Sequence, residues 1–356
     1  MKVLVVAGGT AGHIIPALSV AEELRRRDKK AKILFVTSRS KKDEILISNK
    51  GFKIKKIFAG KLRRYFSFSN FTDIFFIIAG FFQSLFLVVR YKPDIIFSKG
   101  SYVSLPVVVA GRILGKRILI HESDFSIGLA NKFSLRFADK LAVSFPLKYY
   151  NKKLQNKLVF SGNPIRNLHS GKKIKESVDT LVILGGSQGA RNINVKIFAI
   201  LKDLINKDIK IIHFVGDSDF PSAKRLRTGL LLNDQKNYVP FSNIFDEKEY
   251  GKILNEAKLI ISRAGSTIFE IASLSKPAIL IPLSGHQQQN ARILDNNDAA
   301  IVIEDNNLTS EILKEMILSL ISNQTKLNKL AKNISKFSTR NAAGIIVDQL
   351  FDMVSR

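Results

Sequence analysis

Two glycine-rich turns punctuate this 356-residue chain, Gly8-Gly9-Thr10-Ala11-Gly12-His13 and Gly185-Gly186-Ser187-Gln188-Gly189-Ala190, and each leads into a helical pattern. Each follows a short apolar run, Val3–Ala7 and Thr180–Leu184 respectively. A strand that ends in glycines leaves backbone N–H groups and a helix N-terminus aimed into one crevice, which suits phosphates and anionic leaving groups. The turns lie about one α/β domain apart, roughly 150–200 residues. Two similar domains facing a cleft are therefore expected, with chemistry on a nucleotide-linked substrate.

Hydrophobic residues make up 46% of the chain and charged residues 24%, a globular rather than a disordered balance. The chain has no cysteine, which excludes disulfides and thiolate metal sites. The apolar run after Met1 is too short for a signal peptide and reads as a first strand. The net charge of +26 is unevenly spread. Residues 1–164 hold 30 Lys/Arg against 10 Asp/Glu, or +20, whereas residues 165–356 hold 26 against 20, or +6. A compositional bias toward lysine would raise both halves alike, so the asymmetry points to a polyanion or an anionic membrane surface met by the first half. The Lys/Arg are dispersed, and a nucleic-acid binder would leave both glycine turns without a role, so nucleic acid is not expected as a partner.

Strand-like and helical runs alternate along both halves, which predicts α/β architecture with two parallel doubly wound sheets. In the first half strands are expected at Lys32–Thr37, Lys53–Ile57, Asp94–Ser98, Arg117–His121 and Lys140–Val143, with helices at Pro16–Arg27 and Ser126–Phe137. In the second they are expected at Lys210–Val215, Lys258–Ile261, Pro277–Ile281 and Ala299–Ile303. The rhythm breaks near Gly162-Asn163-Pro164, which places the domain boundary between residues 1–164 and 165–340. The terminal amphipathic stretch, within 341–356, is expected to pack back on the first domain.

Tyr65–Val89 stands apart, because Asp73 is its only charge. Its apolar part, Ile74–Val89, is shorter than the ~20 residues that span a bilayer. Two readings fit: a buried helix, or a helix that dips its outer face into a membrane. Lys61, Arg63 and Arg64 before it, with Arg90 and Lys92 after it, favour an anionic surface.

The first turn is not a dinucleotide fingerprint: G-x-G-x-x-G fails, and no acidic residue follows the second strand to take a ribose hydroxyl. His13 should open a helix, with Pro16 in its first turn, and a helix N-terminus keeps imidazole neutral and able to accept a proton. In the second half, Ala264, Gly265, Ser266 and Thr267 link a strand to a helix, with Glu270 one turn in, placed for vicinal ribose hydroxyls. Gln287 and Gln288 supply amides for sugar hydroxyls. Asp217-Ser218-Asp219 matches the D-x-D cation pattern, but in a charged connection where chance accounts for it.

Taken in order, these residues resemble the MurG family of bacterial peptidoglycan glycosyltransferases. Gly8–His13 corresponds to its G-G-T-G-G-H turn, Gly100-Ser101-Tyr102-Val103-Ser104 to G-G-Y-V-S, and His121-Glu122-Ser123-Asp124 to H-E-Q-N. Gly162-Asn163-Pro164-Ile165-Arg166 corresponds to G-N-P-V-R, and Gly185–Ala190 retains G-G-S-Q-G-A. Two departures stand out: Ala11 replaces a glycine, and Asp124 replaces the Asn expected to bond the donor's N-acetyl group.

The resemblance implies two Rossmann-like domains of the GT-B kind, no required metal and no cofactor. It implies inverting transfer of GlcNAc from UDP-GlcNAc to the C4 hydroxyl of undecaprenyl-diphospho-MurNAc-pentapeptide, by a peripheral enzyme on the cytoplasmic face of the bacterial inner membrane. On the matching positions, His13 is the first candidate for general base, with Glu122 and Asp124 as alternatives. Thr10, Ala11 and Gly12 would approach the transferred sugar. Arg166, Ser187, Ile244 and Ala264–Thr267 would hold the nucleotide and its diphosphate. Glu270 would take the ribose, while Gln287, Gln288 and Asp124 would take the GlcNAc. A UDP-GlcNAc 2-epimerase would share the architecture, but would need neither the apolar patch nor the basic half.

Overall fold

The computed structural model describes residues 1–60, 69–168, 179–185, 190–242 and 246–355, with the side chains of 69–72 excepted. Ser187, Ile244, Lys61, Arg63, Arg64 and the start of the Tyr65–Val89 stretch lie outside these residues. The chain forms two compact units, Met1–Ile165 with Thr339–Arg356, and Arg166–Ser338.

The first unit alternates β1 (Lys2–Val6), α1 (Ala11–Arg27), β2 (Lys32–Thr37), α2 (Lys41–Ser48), β3 (Lys53–Lys56), α3 (Ser69–Tyr91), β4 (Ile95–Ser98), α4 (Ser104–Ile113), β5 (Arg117–Glu122), α5 (Leu129–Ser134), β6 (Lys140–Val143) and β7 (Leu158–Phe160). All seven strands pair in parallel, in the order β3-β2-β1-β4-β5-β6-β7. Strands covered by helices on both faces bury nearly all their side chains, so β1 from Val3 and β4 read as largely continuous apolar runs rather than alternating ones. Val3, Val5, Phe35 and Phe97 form the core with Ile14, Leu18 and Leu24 of α1. Each such side chain contributes about 1.5–3 kcal/mol by leaving water. The C-terminal helix, Ala342–Ser355, packs on α1 through Ile346, Val347 and Leu350.

The second unit runs β8 (Thr180–Leu184), α6 (Arg191–Ile205), β9 (Lys210–Phe214), α7 (Phe220–Thr228), β10 (Tyr238–Phe241), α8 (Glu247–Glu256), β11 (Leu259–Ser262), α9 (Thr267–Ser273), β12 (Ala278–Leu280), α10 (His286–Asp295), β13 (Ile301–Val302), α11 (Ser310–Ile321) and α12 (Gln324–Ile334). Its six strands are also parallel, ordered β10-β9-β8-β11-β12-β13.

Several elements differ from expectation. Strands β7 and β10 were not anticipated. Both are short edge strands, and Pro240 within β10 is tolerable only because an edge strand has one row of backbone groups unpaired. The helix expected over Ser126–Phe137 shrinks to α5, starting after Gly128. Helix α1 begins at Ala11, so Pro16 lies in its second turn and cannot donate to the Gly12 carbonyl. Asp217-Ser218-Asp219 lies, as expected, in the connection from β9 to α7, where Asp219 is the N-cap of α7 and accepts from Asn194 Nδ2 at 2.7 Å.

Helix α3 spans 23 residues, longer than its apolar core suggested, and Asp73–Tyr91 is long and apolar enough by composition to cross a membrane. Its two faces differ. Gly80, Ser84 and Val88 are buried, and α3 packs on α4. A Cβ on Gly80 would sit 2.0 Å from the Phe58 carbonyl oxygen, so only glycine allows this approach. Gln83 Oε1 accepts from the Phe58 N–H at 2.8 Å on the same side. The other face exposes a stripe of Phe75, Ile78, Phe82, Phe86 and Val89, with Phe75 72% and Phe86 67% exposed.

Candidate active site

In each unit the strand order reverses beside the first strand, between β1 and β4 and between β8 and β11. Loops leaving the carboxyl ends of the strands diverge at such a switch point and open a crevice. The Gly8–His13 turn leaves β1, and Gly185 leaves β8.

Three loops converge at the first switch point. Gly9 adopts φ +90°, a conformation costly for any residue with a Cβ, and a Cβ there would sit 3.0 Å from Tyr102 Cε1. Gly100 (φ +91°) leaves no room beside Asn131. Asn131 in turn donates through Nδ2 to the His121 carbonyl and to Glu122 Oε2, both at 2.9 Å. The β1, β4 and β5 loops are thus fastened to one another. Ser101 stands where the MurG motif has glycine and takes φ +82°.

Asp43, which the sequence reading did not single out, pins the first turn. Its carboxylate Oδ2 accepts from the Gly9 N–H at 2.8 Å, from Ser38 Oγ at 3.0 Å and from Thr37 Oγ1 at 3.2 Å, and it is buried. Ala11, as the first residue of α1, avoids the left-handed region, so its replacement of glycine carries no strain.

His13 lies in the first turn of α1, with Nδ1 2.9 Å from Thr10 Oγ1. Removal from water, reinforced by the positive charge of Lys99, pushes its pKa down to about 3, so the ring is neutral at physiological pH. Glu122 is engaged differently. Its Oε1 accepts from the Asp124 N–H at 3.1 Å, and its Oε2 from the Gly128 N–H and Asn131 Nδ2, both at 2.9 Å. Burial raises its pKa despite Lys99. The carboxylate braces the loop that carries Asp124, which is itself partly exposed. A small apolar hollow lined by Ile77, Tyr102, Pro106 and Leu129 adjoins these loops.

In the second unit, Arg166 Nε donates to Glu270 Oε1 at 3.0 Å, and the Tyr250 hydroxyl donates to Glu270 Oε2 at 3.0 Å. The Arg166 guanidinium lies over the Tyr250 ring, 4.5 Å from its centroid. Burial would lower the Arg166 pKa, but Glu270, with contributions from Tyr250 and Glu247, together outweighs it and the net direction is upward. Tyr250 was not anticipated; its signal is its place on α8, one turn past the N-cap Asp246.

The loop after β11 runs Arg263–Ser266 and enters α9 at Thr267. Asn290 Nδ2 donates to the Ala264 carbonyl at 2.9 Å, and Gln287 lies beside Gly265. Gln287 Oε1 accepts from the Leu283 N–H at 3.1 Å, whereas Gln288 bridges the Gly285 N–H and Glu304. Ala264, Gly265, Gln287 and Asn290 are therefore brought together, with Arg166, Tyr250 and Glu270 forming a second group. No cluster of three or more metal-ligating side chains occurs among the described residues.

Residues 3–143 match the glycosyltransferase family 28 N-terminal domain, and residues 180–345 match the glycosyltransferase family 28 C-terminal domain. A Clostridium novyi (strain NT) protein named UDP-N-acetylglucosamine–N-acetylmuramyl-(pentapeptide) pyrophosphoryl-undecaprenol N-acetylglucosamine transferase is 35% identical over 373 residues, covering 100% of this chain and 98% of its own. The crystal structure of Acinetobacter baumannii MurG is similar at a TM-score of 0.77 and 25% identity, covering 99% of each chain. A putative UDP-N-acetylglucosamine 2-epimerase from Listeria monocytogenes reaches a TM-score of 0.72 at 11% identity over 99% of this chain and 96% of its own, a likeness of fold alone.

Proposed function

This chain belongs to glycosyltransferase family 28, and from that membership we infer that it transfers N-acetylglucosamine from UDP-N-acetylglucosamine to the MurNAc-pentapeptide borne on undecaprenyl pyrophosphate. The reaction converts lipid I to lipid II in peptidoglycan synthesis. The observation that carries this reading is 35% identity to the C. novyi transferase across the whole chain.

Inversion at the anomeric carbon requires in-line attack by the acceptor hydroxyl, removal of its proton and stabilisation of departing UDP. Charge grows on the diphosphate, so fixed donors and cations there supply the largest part of the catalysis. In the second unit we assign nucleotide binding to Arg166, Glu270, Ser187, Ile244 and the Ala264–Thr267 loop, with Tyr250 orienting Glu270. Gln287 and Gln288 take the sugar. In the first unit Thr10, Ala11 and Gly12 approach the transferred sugar.

His13 is the proposed base. If Nδ1–H is donated to Thr10 Oγ1, the Nε2 lone pair is free to receive the hydroxyl proton. A base with a pKa of about 3 is too weak for the task, but the negative charge of two bound diphosphates raises it toward the working pH. Glu122, with its hydrogen bonds spent on the loop, is a poorer base than His13 and serves to position Asp124.

The exposed stripe of α3 and the +20 charge of residues 1–164 support peripheral attachment to an anionic cytoplasmic membrane surface. With its other face packed against α4, α3 lies on a bilayer rather than spanning it.

Radiolabelled UDP-GlcNAc supplied with a lipid-linked MurNAc acceptor tests the reading. Label should enter the lipid fraction only when acceptor is present, and should do so equally in EDTA. Release of free N-acetylmannosamine, or no label in lipid, would overturn it. His13→Ala, folded normally, should lose 10²–10⁴-fold in turnover, roughly the worth of general-base help.

A further inference from the structure

Arg263 follows β11 and leads the Ala264–Thr267 loop, with 13% of its side chain exposed. Its Nη1 donates to the Ile281 carbonyl at 3.0 Å and to Asp305 Oδ1 at 2.5 Å. Ile281 is the residue after β12, and Asp305 opens the helical turn Asp305–Asn307 beyond β13. Asp305 is held from another side as well. Asn192 Nδ2, in the first turn of α6, donates to Asp305 Oδ1 at 3.1 Å and to the Asp305 carbonyl at 3.2 Å. The preceding residue, Glu304, accepts through Oε2 from Gln288 Nε2 of α10 at 3.0 Å.

Two consecutive residues beyond β13 therefore reach the segments that follow β8, β11 and β12. The sheet order β8-β11-β12-β13 makes these the neighbours from the switch point to the edge. Ladder hydrogen bonds fix strands, but not the loops past their carboxyl ends, and those loops are where ligands of open α/β sheets bind. A side-chain network that joins them supplies the missing constraint. Its value lies in register: a largely buried ion pair adds little stability over an apolar replacement, whereas a misplacement of 1 Å in a site costs about 10²-fold in rate.

We propose that Asp305 is a positioning residue of the donor site, a latch that fastens the Arg263–Thr267 loop to the start of α6, with Glu304 holding α10 beside it. Groups meant for the nucleotide sugar are then in place before it arrives. The nucleotide part of this inference rests on the transferase reading; the fastening of the loop does not.

D305A, D305N, N192A and N192A/D305A test it, read by hydrogen exchange without ligand, by calorimetry with UDP and by GlcNAc transfer. The amides of Ile268 and Phe269, which donate to the loop carbonyls of Gly265 and Ser266, report the fastening. In D305A they should exchange at least tenfold faster while β8 keeps its protection. UDP binding should weaken at least tenfold, and KM for UDP-GlcNAc should rise with KM for the lipid acceptor within twofold of wild type. D305N keeps Oδ1 as an acceptor and should recover more than half of each loss, counted in logarithms. N192A should weaken UDP binding about threefold alone and less in the D305A background, because its link runs through Asp305. Unaltered exchange or UDP affinity in folded D305A overturns the proposal, as do additive effects of N192A and D305A. If D305A does not fold, N192A decides: wild-type UDP affinity in that variant overturns the latch. A wild-type chain that binds no UDP would remove the transferase reading, and the exchange measurement would still decide whether Asp305 fastens the loop.

Discussion

Arg166 and Glu270 form an ion pair largely closed to solvent, with 15% and 8% of their side-chain surfaces exposed and 3.0 Å between Nε and Oε1. Breaking such a pair leaves a buried charge uncompensated, which costs more than the pair contributes when intact. Glu270→Ala should therefore destabilise the protein by about 3–5 kcal/mol in denaturant unfolding and weaken UDP binding by calorimetry. Tyr250→Phe, which removes one hydrogen bond to the same carboxylate, should cost nearer 1 kcal/mol. An unchanged midpoint in Glu270→Ala would mean that the cation finds another partner.

Asp43 offers a sharper separation of fold from function. Three donors converge on one oxygen, and one of them is the N–H of Gly9. Asp43→Ala should cost about 1–3 kcal/mol, the range for unsatisfied buried donors. It should also cut turnover well beyond what the lost stability explains, because the glycine turn loses its tether. Kinetics at a temperature where the variant is fully folded checks this.

Acid stability should be governed by buried neutral histidines. His213 is fully buried, and burial pushes its pKa down to about 3, against 6.5 in an unfolded chain. Its Nε2 lies 3.0 Å from Asn194 Oδ1 and its Nδ1 3.3 Å from the Tyr238 hydroxyl. Because Asn194 Nδ2 donates elsewhere, Oδ1 accepts from Nε2–H and Nδ1 accepts from Tyr238. Below pH 6.5 the unfolded state binds the extra proton first. Stability is thus complete above that pH and falls as pH drops toward 3, by about 1.4 kcal/mol for each tenfold in proton affinity. His213→Gln should flatten the pH dependence of the melting temperature over that window.

The stripe on α3 predicts a phenotype without loss of fold. Phe82 and Phe86 are 62% and 67% exposed, so Phe82→Asp and Phe86→Asp should leave thermal unfolding within about 0.5 kcal/mol, as surface changes do. Sedimentation with anionic vesicles should fall sharply. Cofloatation equal to the unaltered protein would exclude this face as the contact.

Much of the fold was visible as periodicity. Inner strands such as β2, over Leu34–Val36, and β8, over Leu181–Leu184, are buried on both faces and so appear as unbroken apolar runs. The unanticipated β7 and β10 are short edge strands with a weaker signal, and Pro240 within β10 is a residue that a central strand would not tolerate. Asp43 and Tyr250 were invisible for another reason. Each meets its partner across elements far apart in sequence, 34 residues for Asp43 to Gly9 and 20 for Tyr250 to Glu270, and no local pattern encodes such adjacency. Lys99 did leave a trace: a cation placed directly after Ile95–Ser98, an apolar strand end at which it would be buried.

The close approach of Gly80 to Phe58 has a mechanical consequence. A helix pressed backbone to backbone cannot roll about its axis, so the phenylalanine stripe points in one direction relative to the strand-end loops. Any interface that receives those rings meets the first unit at a set inclination, whatever the ionic strength. If that interface is the lipid surface proposed above, attraction of basic residues would govern how firmly the molecule adheres, and the helix would govern its heading.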